Sequence, residues 1–291
     1  MTGTVVAELR RAGVAGLVLR GPAIGRWLYG DDVPRAYRDI DLLVDPGRAQ
    51  EAHAVLESLG FVRRDAGFAP SEGVDHASEW KHEHQAVVVD LHRTLAGAAA
   101  APGLVWQELS AGAREIDVEG AALSVPGEPA LALIVVLHAA HHGVAAARQL
   151  ADLRLALERA APPTWVEAAG IARRLDAAPA FAAGLRLLPE GAEVAERLRL
   201  PHTADRETLL RAAAAHSTAI GFARLASTRG LGAKLAVVAR KLVPTPAFMR
   251  HWSRLARRGR GGLLLAYLWR PVWLLLHLPT AALAWWRARS R

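Results

Sequence analysis

The sequence predicts an α+β protein, with a mixed domain carrying a small mixed sheet over residues 1–125 and an all-helical domain over residues 126–291. Two observations carry this. Before Pro126, short β-rich runs alternate with helical stretches. From Pro126 onward, apolar residues recur at helical spacing, and the breaks hold Gly143, Pro162–Pro163, Pro189 and Pro201. The N-terminal stretch predicts a short helix, then a strand over Gly16–Arg20 and a helix from Pro22 to about Tyr29. Pro22 suits a first helical turn because its missing N–H would be unpaired there anyway. Arg38–Val44 predicts a strand, and Pro46–Leu59 a helix ended by Gly60. Phe61–Arg64, His76–His84 and Ala86–His92 predict three more strands; the last holds Val87, Val88 and Val89 in sequence. A strand pair follows at Arg114–Val118 and Ala122–Val125. Helices are predicted at Glu128–His142, Ala145–Arg159, Thr164–Arg174, Pro179–Leu188 and Glu207–Ala226. No internal repeat is visible.

Composition excludes several chemistries. With no cysteine, the chain has no disulfide scaffold, cysteine zinc site, iron–sulfur cluster or thiol nucleophile. Hydrophobic residues make up 52% and charged residues 22%, a globular balance. The N-terminus lacks the charged start, apolar run and cleavage site of a secretory signal, so a cytoplasmic protein is expected. Net charge is +8, but unevenly spread: residues 208–291 hold 15 Lys or Arg and no acid, whereas residues 1–207 hold 21 basic and 28 acidic side chains. A basic tail on an acidic body suits nucleic acid, a nucleotide, an anionic membrane or the body itself. Arginine outnumbers lysine 33 to 3 amid abundant alanine, a pattern of coding bias as much as of function.

The strongly apolar end, Leu263–Trp286, invites a membrane reading. Arg270 interrupts it, and Pro271 and Pro279 are expected to break it, leaving about 16 residues against the ~20 a span needs. Helices packed on the bundle are the favoured reading. A peripheral contact with the inner membrane face, through four Trp and flanking arginines, is the alternative.

The sharpest chemical feature is Arg38-Asp39-Ile40-Asp41-Leu42-Leu43-Val44. On a strand, Asp39 and Asp41 share a face while Ile40 and Leu42 point to the other, into the core. Two carboxylates about 7 Å apart repel unless a divalent cation sits between them. Asp90, within Val87–His92, adds a third if its strand pairs beside the first. Three hard oxygen donors suit Mg²⁺, which keeps waters and substrate phosphates as its other ligands. Upstream, Leu17–Pro22 is a strand that turns into a helix at Gly21. The glycine lets the backbone approach a phosphate, the helix start offers unpaired N–H groups, and Arg20 adds charge. By contrast, Glu115-Ile116-Asp117 repeats the acidic alternation but reads as surface strand.

This order resembles the nucleotidyltransferase superfamily that includes polymerase beta and the aminoglycoside nucleotidyltransferases. More closely, it resembles a bacterial family of uncharacterised nucleotidyltransferases found beside biosynthetic gene clusters. The resemblance rests on Leu19–Ala23, Leu28-Tyr29, Arg35–Val44, Val89–His92, His138–His142 and Leu150–Leu153. It extends to Pro244–Arg250 and Tyr267–Pro271. Two positions depart: Gly21-Pro22 replaces the usual Gly-Ser, and Arg20 stands where the close family carries Lys, exchanging a point charge for a planar fork. The resemblance implies a polymerase-beta-like catalytic domain, with the active site in a cleft against the helical domain. It implies Mg²⁺ (or Mn²⁺) on Asp39, Asp41 and Asp90, and transfer of a nucleoside monophosphate from a nucleoside triphosphate to a small-molecule, sugar or peptide acceptor. Arg20, Gly21 and Arg38 would bind the phosphates. His92, His142, Arg148 and Asp152 are candidates for the substrate cleft. On residue patterns alone, Arg148 and Asp152 read as a helix ion pair, and Asp152 as a histidine partner in helix packing.

Other motifs are absent. There is no P-loop, dinucleotide-binding glycine fingerprint or serine-hydrolase elbow. No specific nucleic-acid signature appears. His138 and His142 share a helix face, but zinc would need a third ligand. Two other readings stand beside the transferase. One is a metal-dependent glycosyltransferase using a nucleotide-sugar, against which the triplet at residue 39 comes early in the chain. The other is a non-catalytic module binding nucleotide, nucleic acid or membrane through the basic tail.

Overall fold

The computed structural model describes residues 1–30, 37, 39–68, 76–204, 206–213, 225, 228 and 230–287. The chain forms two compact units, one of residues 1–63 with 76–204, the other of residues 64–75 with 205–291. The first unit holds all the strands among the described residues.

Its main sheet has five strands: β1 (Gly16–Val18), β2 (Asp39–Val44), β3 (Phe61–Arg63), β4 (Ala77–His82) and β5 (Val88–His92). Their order is β1-β2-β5-β4-β3, and the sheet is mixed: β2 and β5 run parallel, and every other pair is antiparallel. Alternation sorts the side chains. Val18, Ile40, Leu42, Val89 and Leu91 pack on one face with Val5 and Leu9 of α1 (Thr2–Arg11) and Ala52 and Leu56 of α3 (Ala49–Ser58). Leu17, Leu19 and Leu43 point the other way, into the core of the helical layer. Both faces of β2 are therefore covered beyond Asp39, and a parallel pair covered on both faces is the usual condition for such pairing. A separate hairpin, β6 (Arg114–Val118) with β7 (Ala121–Val125), adds Ile116, Leu123 and Val125 to the first core.

The helical layer comprises α5 (Glu128–His142), α6 (Ala147–Arg159), α7 (Pro162–Arg174), α8 (Ala178–Leu185) and α9 (Pro189–Arg197). Every residue of α5 from Ala130 to Leu137 is buried, the mark of a helix enclosed by others. Gly184 of α8 allows one close approach: a Cβ there would sit 2.4 Å from the Val136 carbonyl oxygen of α5.

Several elements differ from expectation. Pro102–Ser110 is a helix, α4, in a stretch that carried no prediction. Pro189 lies at the expected break after α8 but also starts α9, a helix that carried no prediction, occupying the first-turn position proline favours. The helix after Gly21 is three residues, α2 (Pro22–Ile24), continued by a π-helical turn, Gly25–Tyr29. The helix expected at Glu207–Ala226 is described only as α10 (Arg206–Ala212), and the rest of that stretch lies largely outside the described residues.

In the second unit, α11 (Leu231–Leu242), α12 (Pro246–Trp252) and α13 (Gly259–Arg287) follow. Here the expected breaks at Pro271 and Pro279 are overturned: α13 is continuous over 29 residues. Tertiary contacts hold it where its own ladder loses a donor. Tyr267 Oη donates to the Pro244 carbonyl at 2.6 Å, Arg270 Nε donates to the Lys241 carbonyl at 2.8 Å, and Trp273 packs on Trp252. Arg270 interrupts the apolar run, as expected, and at the same time anchors the helix.

Candidate active site

The parallel pairing of β2 with β5 sets the site. Asp41 lies directly opposite Asp90, and Asp39 opposite Val88. Side chains of Asp39, Asp41, Asp90 and His92 consequently project from one face, the face that Leu43 continues into the helical core. Asp39, at the strand's start, is exposed; Asp41, two residues on, is only 7% exposed.

Asp41 is held on two sides. The Arg20 guanidinium pairs with its Oδ1, and His92 Nε2 donates to the same oxygen at 3.1 Å. Burial alone would push the Asp41 carboxyl up; the His92 hydrogen bond and the Arg20 charge outweigh it and hold the group below the usual carboxylate range. His92 is itself buried and faces the Thr94 carbonyl with Nδ1. Asp90 behaves oppositely. Burial, then the negative charges of Asp41 and Asp39, push its pKa up to about 6, against smaller opposing effects of His92 and Arg20. Repulsion from Asp41 and Asp39 thus adds to burial in disfavouring the Asp90 carboxylate.

Arg20 also ties the sheet to the helical layer. Its guanidinium reaches His138 of α5, with 3.1 Å to Nε2, so one planar fork serves a carboxylate and an imidazole. The next residue, Gly21, sits at φ +60° and ψ −112°. Ala23 N–H closes on the Arg20 carbonyl at 3.2 Å, which makes residues 20–23 a type II′ turn. That turn demands glycine in second place, and Pro22 supplies the fixed φ of the third. The Gly-Pro departure from Gly-Ser therefore has a backbone reason. A Cβ on Gly21 would also meet the Tyr37 ring at 3.1 Å, so a tyrosine ring covers the turn.

The remaining candidates fall in different settings. His142 is exposed on the last turn of α5, its ring 4.5 Å from that of His138 and 5.2 Å from that of His141. His76 bridges His141 and His92 at 5.3 and 5.5 Å, so imidazoles run from α5 to the carboxylate strand. Arg148 is exposed on α6. Asp152 is 3% exposed and accepts from Tyr29 Oη at 2.8 Å, which fastens α6 to the π-helical turn after Gly21. Arg38 lies outside the described residues.

Sequence reasoning passed over Tyr37, Tyr29 as a partner of Asp152, His76, and Glu79. Glu79 of β4 stands opposite Asp90, so Asp41, Asp90 and Glu79 form a row across three strands. Its only sequence signal was an acid on a strand near an Asp-bearing strand; the register between strands is not written locally.

The donor set fits a divalent cation in type and in placement on one face. As the side chains stand, no three acidic or histidine groups among the described residues converge on a common point, because Asp41 Oδ1 is turned to Arg20 and His92.

The chain aligns in three dimensions with the antibiotic-resistance factor ANT(2'')-Ia in solution, at 18% identity and a TM-score of 0.44, over 60% of this chain and 90% of that one. A crystal structure of ANT(2'')-Ia in complex with adenylyl-2''-tobramycin aligns at 18% identity and 0.43, over 58% and 94%. Neither likeness assigns a substrate to this chain. No curated protein matches it. The model of a family described as uncharacterised nucleotidyltransferases matches residues 2–191. That span takes in the sheet, both Asp-bearing strands and α5 to α8, and the chain belongs to this family: it is a nucleotidyltransferase.

Proposed function

We propose that the enzyme transfers a nucleoside monophosphate from a nucleoside triphosphate to a small-molecule, sugar or peptide acceptor. An acceptor oxygen or nitrogen bonds to the α-phosphorus, the bond to the bridging oxygen breaks, and pyrophosphate leaves. The observation that carries this reading is the in-register parallel placement of Asp41 beside Asp90, with Asp39 on the same face. Asp39, Asp41 and Asp90 would hold Mg²⁺ or Mn²⁺. A bound divalent ion supplies Lewis-acid polarisation of phosphoryl oxygens and offsets charge on the leaving group. Asp90 would also position the acceptor or take its proton. Arg20 fixes Asp41 and places positive charge at the end of β1, where the Gly21 turn would meet phosphates. His92 keeps the Asp41 carboxylate oriented and ionised. Asp152 acts at one remove, positioning the turn through Tyr29. Membership in the family sets aside the glycosyltransferase and non-catalytic readings.

The test is equilibrium binding of ATP, GTP, CTP and UTP with and without Mg²⁺, for wild type and Asp39→Asn. Asp39 is exposed, so the variant keeps the core. Mg²⁺-dependent binding, weakened at least about tenfold in the variant, is expected, since one charged ligand contributes ~1.5 kcal/mol or more. Binding indifferent to both Mg²⁺ and Asp39 refutes the assignment.

A further inference from the structure

The C-terminal helices expose what a helix in water hides. Along α13, Leu264, Leu265, Leu268, Trp269, Leu275 and Leu276 recur at helical spacing and form one outward strip. Leu268 and Leu275 are each 64% exposed. The inward face instead carries Arg270, 5% exposed, with its guanidinium 5.1 Å from the Phe248 ring centre and 4.8 Å from that of Trp252. Arginine in and leucine out inverts the order of an ordinary amphipathic helix. On α11, Leu231, Leu235, Val238 and Leu242 fall at i, i+4, i+7 and i+11, and all four are exposed. Lys234, Arg240 and Lys241 share that helix.

Charge identifies what covers these strips. Residues 208–291 carry 15 Lys or Arg and no acidic side chain. Apolar strips with basic flanks and a tryptophan among the leucines match the chemistry of an anionic lipid surface, where arginines meet headgroups and leucines enter the acyl boundary. Nucleic acid would answer the charge but leave the leucines in water.

By length and composition, the 20-residue stretch Gly259–Leu278 is long and apolar enough to cross a bilayer, its 18-residue window reaching mean hydropathy 1.3. One side of α13 is nevertheless committed to protein. Ala266 is buried with Met249 of α12, and Arg270 is bonded to the Lys241 carbonyl. The helices that cover Arg270, α11 and α12, are 12 and 7 residues long, too short to accompany it across a bilayer, so α13 lies along a membrane rather than through it. We infer that α11 and α13 form a docking surface that seats this nucleotidyltransferase in the plane of an anionic bilayer.

The test uses the full chain in vesicle flotation, with vesicles of phosphatidylcholine alone and with about one third phosphatidylglycerol. Wild type is expected to float with the anionic vesicles and to lose affinity several-fold between about 0.1 and 0.5 M salt. The double variant Leu268→Glu/Leu275→Glu should weaken partitioning roughly 100-fold, about tenfold for each leucine lost from the apolar phase. Both positions are exposed, so an unchanged circular dichroism spectrum is expected. Any one of several results overturns the inference. One is no flotation of wild type, or equal flotation of wild type and variant. Another is equal binding to both vesicle types. The third is a dimer in solution that these two substitutions dissociate without any vesicle binding.

Discussion

Replacing Asp90 with asparagine should make the protein more stable while removing its activity. The carboxyl rises from an ordinary 3.8 to about 6 because burial and the charges of Asp41 and Asp39 disfavour its ionised form. Below pH 3.8 the group is protonated in both folded and unfolded chains, and it contributes nothing to pH dependence. Between 3.8 and 6 the folded protein retains a proton that the unfolded chain releases, so stability falls as pH rises. Above 6 the full penalty is present. A rise of that size corresponds to about 3 kcal/mol at ~1.4 kcal/mol per tenfold. Asp90 is only partly buried, and screening by water reduces the figure to ~1–2 kcal/mol. Asparagine keeps the shape and removes the charge. At pH 7 the variant's Tm should exceed wild type by roughly 2–8 °C, at 2–4 °C per kcal/mol for a unit of this size. At pH 4 the two should melt together. Calorimetry across pH 4–8 without divalent ions measures this. Added Mg²⁺ should then stabilise wild type more than the variant. A variant equal to or less stable than wild type at pH 7, or a gain that persists unchanged at pH 4, refutes the carboxylate-repulsion account.

Other outcomes follow from single contacts. Gly184→Ala places a Cβ 2.4 Å from the Val136 carbonyl and should cost about 1–3 kcal/mol in urea unfolding. Gly21→Ala forces a side chain into φ +60° against the Tyr37 ring; about 1–3 kcal/mol of stability and most nucleotide affinity should go, read by melting and binding together. Arg20→Lys cannot span Asp41 and His138 at once, so turnover should fall at least about tenfold, in line with the ~1.5–3 kcal/mol of one charge-assisted hydrogen bond. Tyr29→Phe strips a hydroxyl from buried Asp152 and should lower stability by about 1–2 kcal/mol without changing Mg²⁺ dependence.

What could be read from the sequence was what repeats locally. Alternation put Asp39 and Asp41 on one face and Ile40 and Leu42 on the other, and the strand has that form. Helical spacing located α5 to α8 to within a few residues. What escaped depends on partners far along the chain. No local pattern states that Asp90 faces Asp41 on one side and Glu79 on the other. Nor does one state that Tyr29 closes on Asp152, or that Tyr37 covers Gly21. The prolines misled at two places for different reasons. At Pro189 a first-turn position needs no donor, and at Pro271 neighbouring contacts from Arg270 and Tyr267 hold a helix that propensity alone would end. The helix α4 was missed because alanine and glycine around it blur its apolar spacing.

The way the carboxylates are brought together bears on how the molecule is made. His92 meets Asp41 across 51 residues of chain, and Arg20 meets His138 across 118. Closing such long loops is slow compared with forming α1 or the β6–β7 hairpin. During synthesis, Asp41 emerges well before the residues that give it neighbours. An incomplete N-terminal fragment therefore holds the acids without the geometry, and a ligand that needs all of them selects only the finished fold. Nucleotide with Mg²⁺ should accordingly stabilise the native state, raising Tm with the logarithm of ligand concentration above its Kd.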